Sequence, residues 1–499
     1  METPQEMRPK RVAVVGTGMA GLATAHLLHQ DPQKRYQVTV IEKRNQISLS
    51  AESIRIPSSD PHGQPVWADV PMRAFAGGFY QNLARMYDYL GVDYHEQPFL
   101  FSFTRIPQRQ QSSSPLPPSN SCLPGPQMVY ASNFHQFPPI PRTSELIHWC
   151  VEAVYAVLCY LWFTFCCFFI PPHEEDLQSG RLSESFDHYL RRVRMPQHYT
   201  DHYLLPLISS VCTCSHQELL NFPASDVLEY KRRTHRQQHY VVSAGVQCVQ
   251  PKLLEGVELR LGVNLTRVIP DGHGGVKLEY ATEAGESSSE HFDLVVLAVS
   301  PDAAAALYTE VHAPLSAIPT TSVETIAHTD ESTIQPMLQA TKTTASMKRA
   351  HKSGGTNPKT PPTQRIHLLS NGSITEAVHE QSNSILVSTN PLFAVDKSKI
   401  IRSASFTRVL RSPLSRLLVN SIFQSRDEDE DGDDERKERK KNAPTASPSA
   451  ACTWRNGDYG VYLAGGWCWD GMVLLEGCIV SAMRVATELG VAVPWDDRS

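Results

Sequence analysis

Residues 12–23, Val12-Ala-Val-Val-Gly16-Thr-Gly18-Met19-Ala20-Gly21-Leu-Ala, run from four apolar residues through a G-x-G-x-x-G pattern into an Ala/Leu-rich stretch. The apolar run reads as a buried strand and residues 21–29 as a helix. Gln37–Ile41 (QVTVI) is a second apolar strand, so the chain opens on a βαβ unit with parallel strands. Gly16 permits the tight turn, Gly18 lets backbone amides approach a diphosphate, and Gly21 lets the helix pack closely on the strand. The helix N-terminus, with Met19 and Ala20 beside the turn, offers amide donors and a partial positive charge to an anion. Glu42 ends the second strand 21 residues beyond Gly21, followed by Lys43, at a place where a carboxylate accepts hydrogen bonds from ribose hydroxyls. These residues predict a dinucleotide site and leave NAD and FAD both open.

The remainder of the 499 residues leaves room for two or three domains. The net charge of −6 is unevenly placed, since residues 426–441 hold nine acidic and six basic residues. The nearly neutral body argues against nucleic acid as a partner. The eleven cysteines are scattered, without the paired spacings of a zinc site, and read as reduced thiols of an intracellular chain. No signal peptide precedes the first strand, and no metal site is expected. Residues 78–90 form an amphipathic pattern ended by Gly91. Residues 107–126, rich in Pro and Ser, cannot bury apolar surface and read as a loop or a disordered stretch. Strands are expected at 257–269, 276–280 and 292–299, flexible insertions at 328–363 and 425–450, a strand at 460–464, and a helix at 476–489 capped by Gly490.

The stretch from Val12 to Glu42 resembles the start of the flavin-containing amine oxidoreductase superfamily, which includes amine oxidases, phytoene desaturases and protoporphyrinogen oxidases. Val257–Pro301 is similar to the family's internal strands, and by that likeness Leu265 lies by the adenine. Gly460–Ala482 (GVYLAGGWCWDGMVLLEGCIVSA) resembles the closing motif, which implies that Gly465, Gly466, Glu476 and Gly477 line the flavin site. Trp67–Val92 looks most like a little-studied microbial branch of FAD/NAD-binding proteins, where Asp69 and Arg73 match positions near the ring. One departure stands out: the family's Gly-Gly pair after the ribose acid is Ser48-Leu49 here.

The resemblance implies an α/β Rossmann-like FAD domain built from discontinuous segments, with a mixed α+β substrate domain. The expected segments are 1–95, 241–310 and 451–499 for FAD, and 96–240 and 311–450 for the substrate side. It implies an FAD-dependent oxidoreductase that takes a hydride from a hydrophobic amine, fatty-acyl or isoprenoid substrate. A non-catalytic lipid- or partner-binding protein on the same fold is the alternative. His198, His202 and His239 are available as bases, but no residue is singled out as catalytic.

Ala153–Ile170 is an 18-residue run without a charge. Its length suits a membrane span. A single crossing, however, would put the opening βαβ unit and the closing motif on opposite sides of the bilayer. The run therefore reads as an interfacial anchor, a buried helix or the wall of a substrate channel. The expected location is intracellular, either cytoplasmic or peripheral to a membrane through 153–170.

Overall fold

The computed structural model describes residues 8–49, 51–57, 66–106, 128–131, 146–175, 181–281, 287–332, 334, 363–423 and 454–496. A five-stranded parallel sheet carries the order Glu258–Arg260, Tyr36–Ile41, Lys10–Val15, Leu294–Leu297, Val461–Leu463. Val12 and Val14 face one apolar cluster together with the first helix, Met19–His29, and the closing helix, Leu475–Glu488. Ala13 and Val15 face a second cluster with Leu265, Val276 and Ala304. A parallel strand covered on both faces needs an apolar residue at every position, and the VAVV run meets that need.

The first and closing helices pack side by side. At their far ends the Tyr36 hydroxyl donates to the Leu489 carbonyl at 2.7 Å, and Arg35 donates to the Gly490 carbonyl at 2.8 Å. Both helices therefore run the same way, with their N-termini at the carboxyl edge of the sheet. The two ends of the polypeptide thus meet in one layer.

The strands expected between 257 and 299 divide between two sheets. Glu258–Arg260 and Leu294–Leu297 join the parallel sheet, while Asn264–Pro270, Val276–Ala281 and Ser287–Phe292 form an antiparallel sheet of their own. The polar strand Ser287–Phe292 (SSSEHF) carries no apolar alternation to announce it.

A seven-stranded sheet gathers Phe99–Arg105 and Met128–Ala131 with five strands between Thr320 and Val409. It therefore joins the stretches on either side of the middle cofactor segment. The insertion expected from residue 328 starts later. His328 and Ile334 are fully buried, and Asp330 accepts from the Lys399 ammonium at 3.0 Å. Residues 335–362 and 424–453, which hold most of the two expected insertions, and the loop 107–126 lie outside the described residues.

Candidate cofactor site

The chain turns from the first strand into the first helix on Gly16. Its φ is +105°, and a Cβ there would meet the Ala298 carbonyl oxygen at 2.6 Å. A Cβ at Gly21 would lie 2.1 Å from the Gly16 carbonyl oxygen, so helix and turn touch there. Gly18 differs from both. A Cβ added to it meets nothing within 4 Å among the described residues, and Gly18 caps the helix with no side-chain hydrogen bond and no acidic residue in the first turn. Met19 and Ala20 behind it are buried. The positive end of the helix thus faces an open notch with no anion of its own, which is the space and the donor set that a diphosphate requires.

Glu42 stands at the carboxyl end of the second strand. Its Oε2 accepts from the Thr17 amide at 3.0 Å and the Thr17 hydroxyl at 2.7 Å, and its Oε1 accepts from the Arg44 amide at 2.9 Å. A carboxylate has about four acceptor directions, so one remains for a ribose hydroxyl. The Thr17 hydroxyl also accepts from the Ser48 amide at 3.0 Å, and Leu49 is buried. The backbone at Ser48-Leu49 therefore returns to the glycine turn without needing glycines. Lys43 is exposed. The Val263 amide donates to the Glu42 carbonyl at 3.0 Å, which brings the strand holding Leu265 against this end of the site.

Gly465 and Gly466 follow the last parallel strand. The Gly465 amide donates to the Ser481 hydroxyl at 3.0 Å, and a Cβ at Gly466 would come within 3.0 Å of the Leu474 carbonyl oxygen. Gly477 is tighter still, because a Cβ there would lie 2.3 Å from the Trp469 indole nitrogen. Glu476, by contrast, points away from its own helix terminus. Its buried carboxylate accepts from the Asn82 amide at 2.9 Å, the Asn82 side chain at 2.8 Å and the Leu83 amide at 3.1 Å. It caps the helix Gln81–Tyr89, which begins three residues later than the pattern from Gly78 suggests. At this edge Glu476 offers its backbone; its carboxylate serves another helix. Burial raises its pKa, against the pull of those hydrogen bonds.

The closing loop is held from beneath by Arg411, which is buried and donates to the carbonyls of Trp469, Gly471 (3.0 Å) and Trp467 (3.4 Å). Its Nε lies 3.7 Å from Asp226 Oδ2, and Asp226 also accepts from Arg416 at 2.5 Å. No motif announces Arg411, because its partners, three backbone carbonyls and the Asp226 carboxylate, all lie more than fifty residues away.

Cys478 sits where the two helix N-termini meet, and the Ala20 and Gly466 amides act to lower its pKa. Burial pushes its thiol up to about 11, against the pull of the Arg73 and Arg408 charges. Burial first, and the Arg408 charge next, lower the pKa of Arg73. The buried Nε of Arg408 has no hydrogen-bond partner among the described residues. Tyr80, Phe79, Tyr230 and Trp469 wall this region, with the Phe79 ring edge-on to the other three at 4.9–5.8 Å. The Asp69 carboxylate, expected near the ring, accepts through Oδ1 from the Ser53 hydroxyl at 2.6 Å and the Val246 amide at 2.9 Å, and its charge acts on Arg73. His198 pairs with Glu152 and stacks on His202, while His239 packs against Phe99 and is lowered to about 4 by burial.

Comparison with known proteins agrees with this geometry. Residues 14–90 match a family described as NAD(P)-binding Rossmann-like domain, and residues 165–387 match the flavin containing amine oxidoreductase family. A search of curated proteins finds no match. Among solved structures, the CLA-producing fatty acid isomerase from P. acnes superposes with a TM-score of 0.54 at 12% identity, covering 96% of this chain and 98% of that one. Cyclohexylamine oxidase from Brevibacterium oxydans IH-35A superposes with a TM-score of 0.52 at 12% identity, covering 97% and 100%. At such identities these two likenesses speak for the fold alone; the cofactor and the chemistry follow from the family match. The chain carries an NAD(P)-binding Rossmann-like domain over residues 14–90 and a flavin containing amine oxidoreductase domain over residues 165–387, and is an FAD-dependent, amine oxidase-like oxidoreductase.

Proposed function

We propose that the substrate is an apolar molecule bearing a carboxylate, of the fatty-acyl kind, and that Arg73 and Arg408 bind its acid group. The observation that carries this reading is the pair of guanidiniums close to Cys478, where the first and closing helices converge. The Asp69 carboxylate answers Arg73 in part, by less than Arg408 opposes it, so the two like charges in a poorly solvated space still call for an anion. An ammonium group would add a third positive charge, and an isoprenoid hydrocarbon would bring no charge to answer the two. Of the two fold relatives named above, one is named for a fatty acid and the other for an amine; the arginines favour the first.

In this reading Gly16, Gly18, Met19, Ala20 and Gly21 hold the diphosphate of FAD, and Glu42, Lys43 and Leu265 lie at its adenosine end. Gly465, Gly466, Gly477 and the backbone of Glu476 face the flavin. When bound, the flavin supplies the two-electron chemistry, accepting a hydride as a substrate C–H bond breaks. The protein binds and orients the substrate. The Phe79, Tyr80, Tyr230 and Trp469 rings exclude water from the reacting region. Tyr80, whose pKa burial raises well above its usual value, stays neutral and leaves the arginine charge intact.

Titrating the flavin-loaded protein with a long-chain fatty acid and a matching alkylamine, and following the flavin spectrum, tests the assignment. The acid is expected to perturb the spectrum, and Arg408→Leu to weaken its binding roughly 10- to 100-fold with unchanged flavin content, in line with one charge-assisted contact of about 1.5–3 kcal/mol. Tighter binding of the amine, or equal binding of the acid by the variant, contradicts it.

A further inference from the structure

The helix Leu146–Phe169 has 24 residues, and only 28% of its most apolar window is buried. A core helix of the same composition would be mostly covered. Its inward face is Ala156, Cys159, Phe163, Cys166 and Cys167, at helical spacing. The opposite face is equally apolar and exposed: Ile147 at 83%, Val151 at 63%, Leu158 at 61%, Leu161 at 56% and Phe169 at 70% are examples. Its one charged side chain, Glu152, hydrogen-bonds Tyr203 and His198 instead of standing in that face.

The helix cannot cross a bilayer. The chain before it, Met128–Ala131, belongs to the seven-stranded sheet. Just after it, the Tyr189 hydroxyl donates to the carbonyls of Cys166 at 2.9 Å and Ile170 at 2.8 Å, and Arg192 donates to Pro171 at 2.9 Å. Both ends return to the same body, so the helix lies along its surface, about 36 Å long at 1.5 Å per residue.

The surroundings of its aromatic end indicate what covers the exposed face. Trp162, Ile170, Arg192, Val193 and Arg194 line a groove of about 320 Å³. The Trp162 indole donates to the Val193 carbonyl at 3.0 Å and its ring stacks on Phe165. Arg194 is exposed and has no carboxylate partner among the described residues. On the other flank Phe168 meets the His235 ring, beside Lys231 and the exposed Arg236. Stretches 184–194 and 229–236 together hold seven basic residues against Glu184, Asp187 and Glu229. An apolar helix face with Trp and Phe at one end and a cationic rim around it complements an anionic lipid surface.

We infer that the exposed face of Leu146–Phe169 docks in one leaflet of an anionic bilayer, with Arg194 and Arg236 at the headgroups. The docking is independent of the substrate assignment. Flotation of the full, flavin-loaded chain with vesicles of phosphatidylcholine alone, or mixed with phosphatidylserine, tests it. The protein is expected to float with the mixed vesicles at least about tenfold better than with the neutral ones. The double variant Leu158→Asp/Leu161→Asp should lose flotation while keeping its flavin and melting temperature, and Arg194→Glu should weaken binding to the mixed vesicles only. Absence of flotation, or flotation unchanged in the double variant, overturns the inference. So does a stable homodimer that the double variant dissociates in a protein that never binds vesicles, since the face would then be covered by a second copy.

Discussion

Replacing Gly18 by Asp is expected to strip the flavin from this protein and leave its fold intact. Gly18 has an ordinary φ of −64°, an added Cβ would touch nothing within 4 Å among the described residues, and the residue caps a helix. Asp is among the better residues at such a position, so melting temperature should hold or rise slightly. The new carboxylate would sit in the notch assigned to the diphosphate, repel it and occupy its amide donors. A penalty of about 3 kcal/mol corresponds to roughly 100-fold weaker FAD binding. Fluorescence titration with FAD beside a thermal melt separates the two effects. Substituting Gly21 does not separate them, because a Cβ 2.1 Å from the Gly16 carbonyl oxygen damages the fold itself. A Gly18→Asp variant that holds FAD as tightly as the parent protein would move the diphosphate elsewhere.

The second large effect is one of stability. Arg411→Ala should cost about 3–5 kcal/mol, because it leaves the Asp226 carboxylate buried with half of its compensation gone and releases the carbonyls that shape the closing loop. Arg411 is 2% exposed and Asp226 is 1% exposed, so water cannot step in. A Lys at 411 should recover little, since one ammonium cannot reproduce the spread of guanidinium contacts to Trp467, Trp469 and Gly471. Denaturant unfolding of the two variants checks this. A loss under about 1 kcal/mol in Arg411→Ala, no more than an ordinary hydrogen bond contributes, would mean that the loop is held by other contacts.

How far the chain could be read in advance depended on the range of the interactions. The parallel sheet was legible because the VAVV and QVTVI runs, the glycine turn and Glu42 are local signals with a fixed physical meaning. Glu476 was visible as part of a motif, yet its carboxylate turns to Asn82 and Leu83, nearly four hundred residues earlier. Nothing local to position 476 reports that. Thr17 carries no local signal, because hydroxyls are common in turns; its role appears only once Glu42 and Ser48 are beside it. Arg408 and Arg411 lie in no motif, and the partners that give Arg411 its role are distant in the chain. The apolar run at 153–170 was plain, but which face is buried depends on the partners of Cys159, Phe163 and Cys166 across the core.

All of this chemistry needs a dinucleotide seated between Gly18 and Glu42 and reaching the closing glycines. Denaturing the purified full-length chain, and identifying the released flavin by absorbance and mass, puts that seating to the test. One intact FAD per chain is expected, freed without protein fragments and taken up again by the refolded or flavin-stripped protein. A folded chain that carries no flavin and does not take up added FAD is incompatible with it.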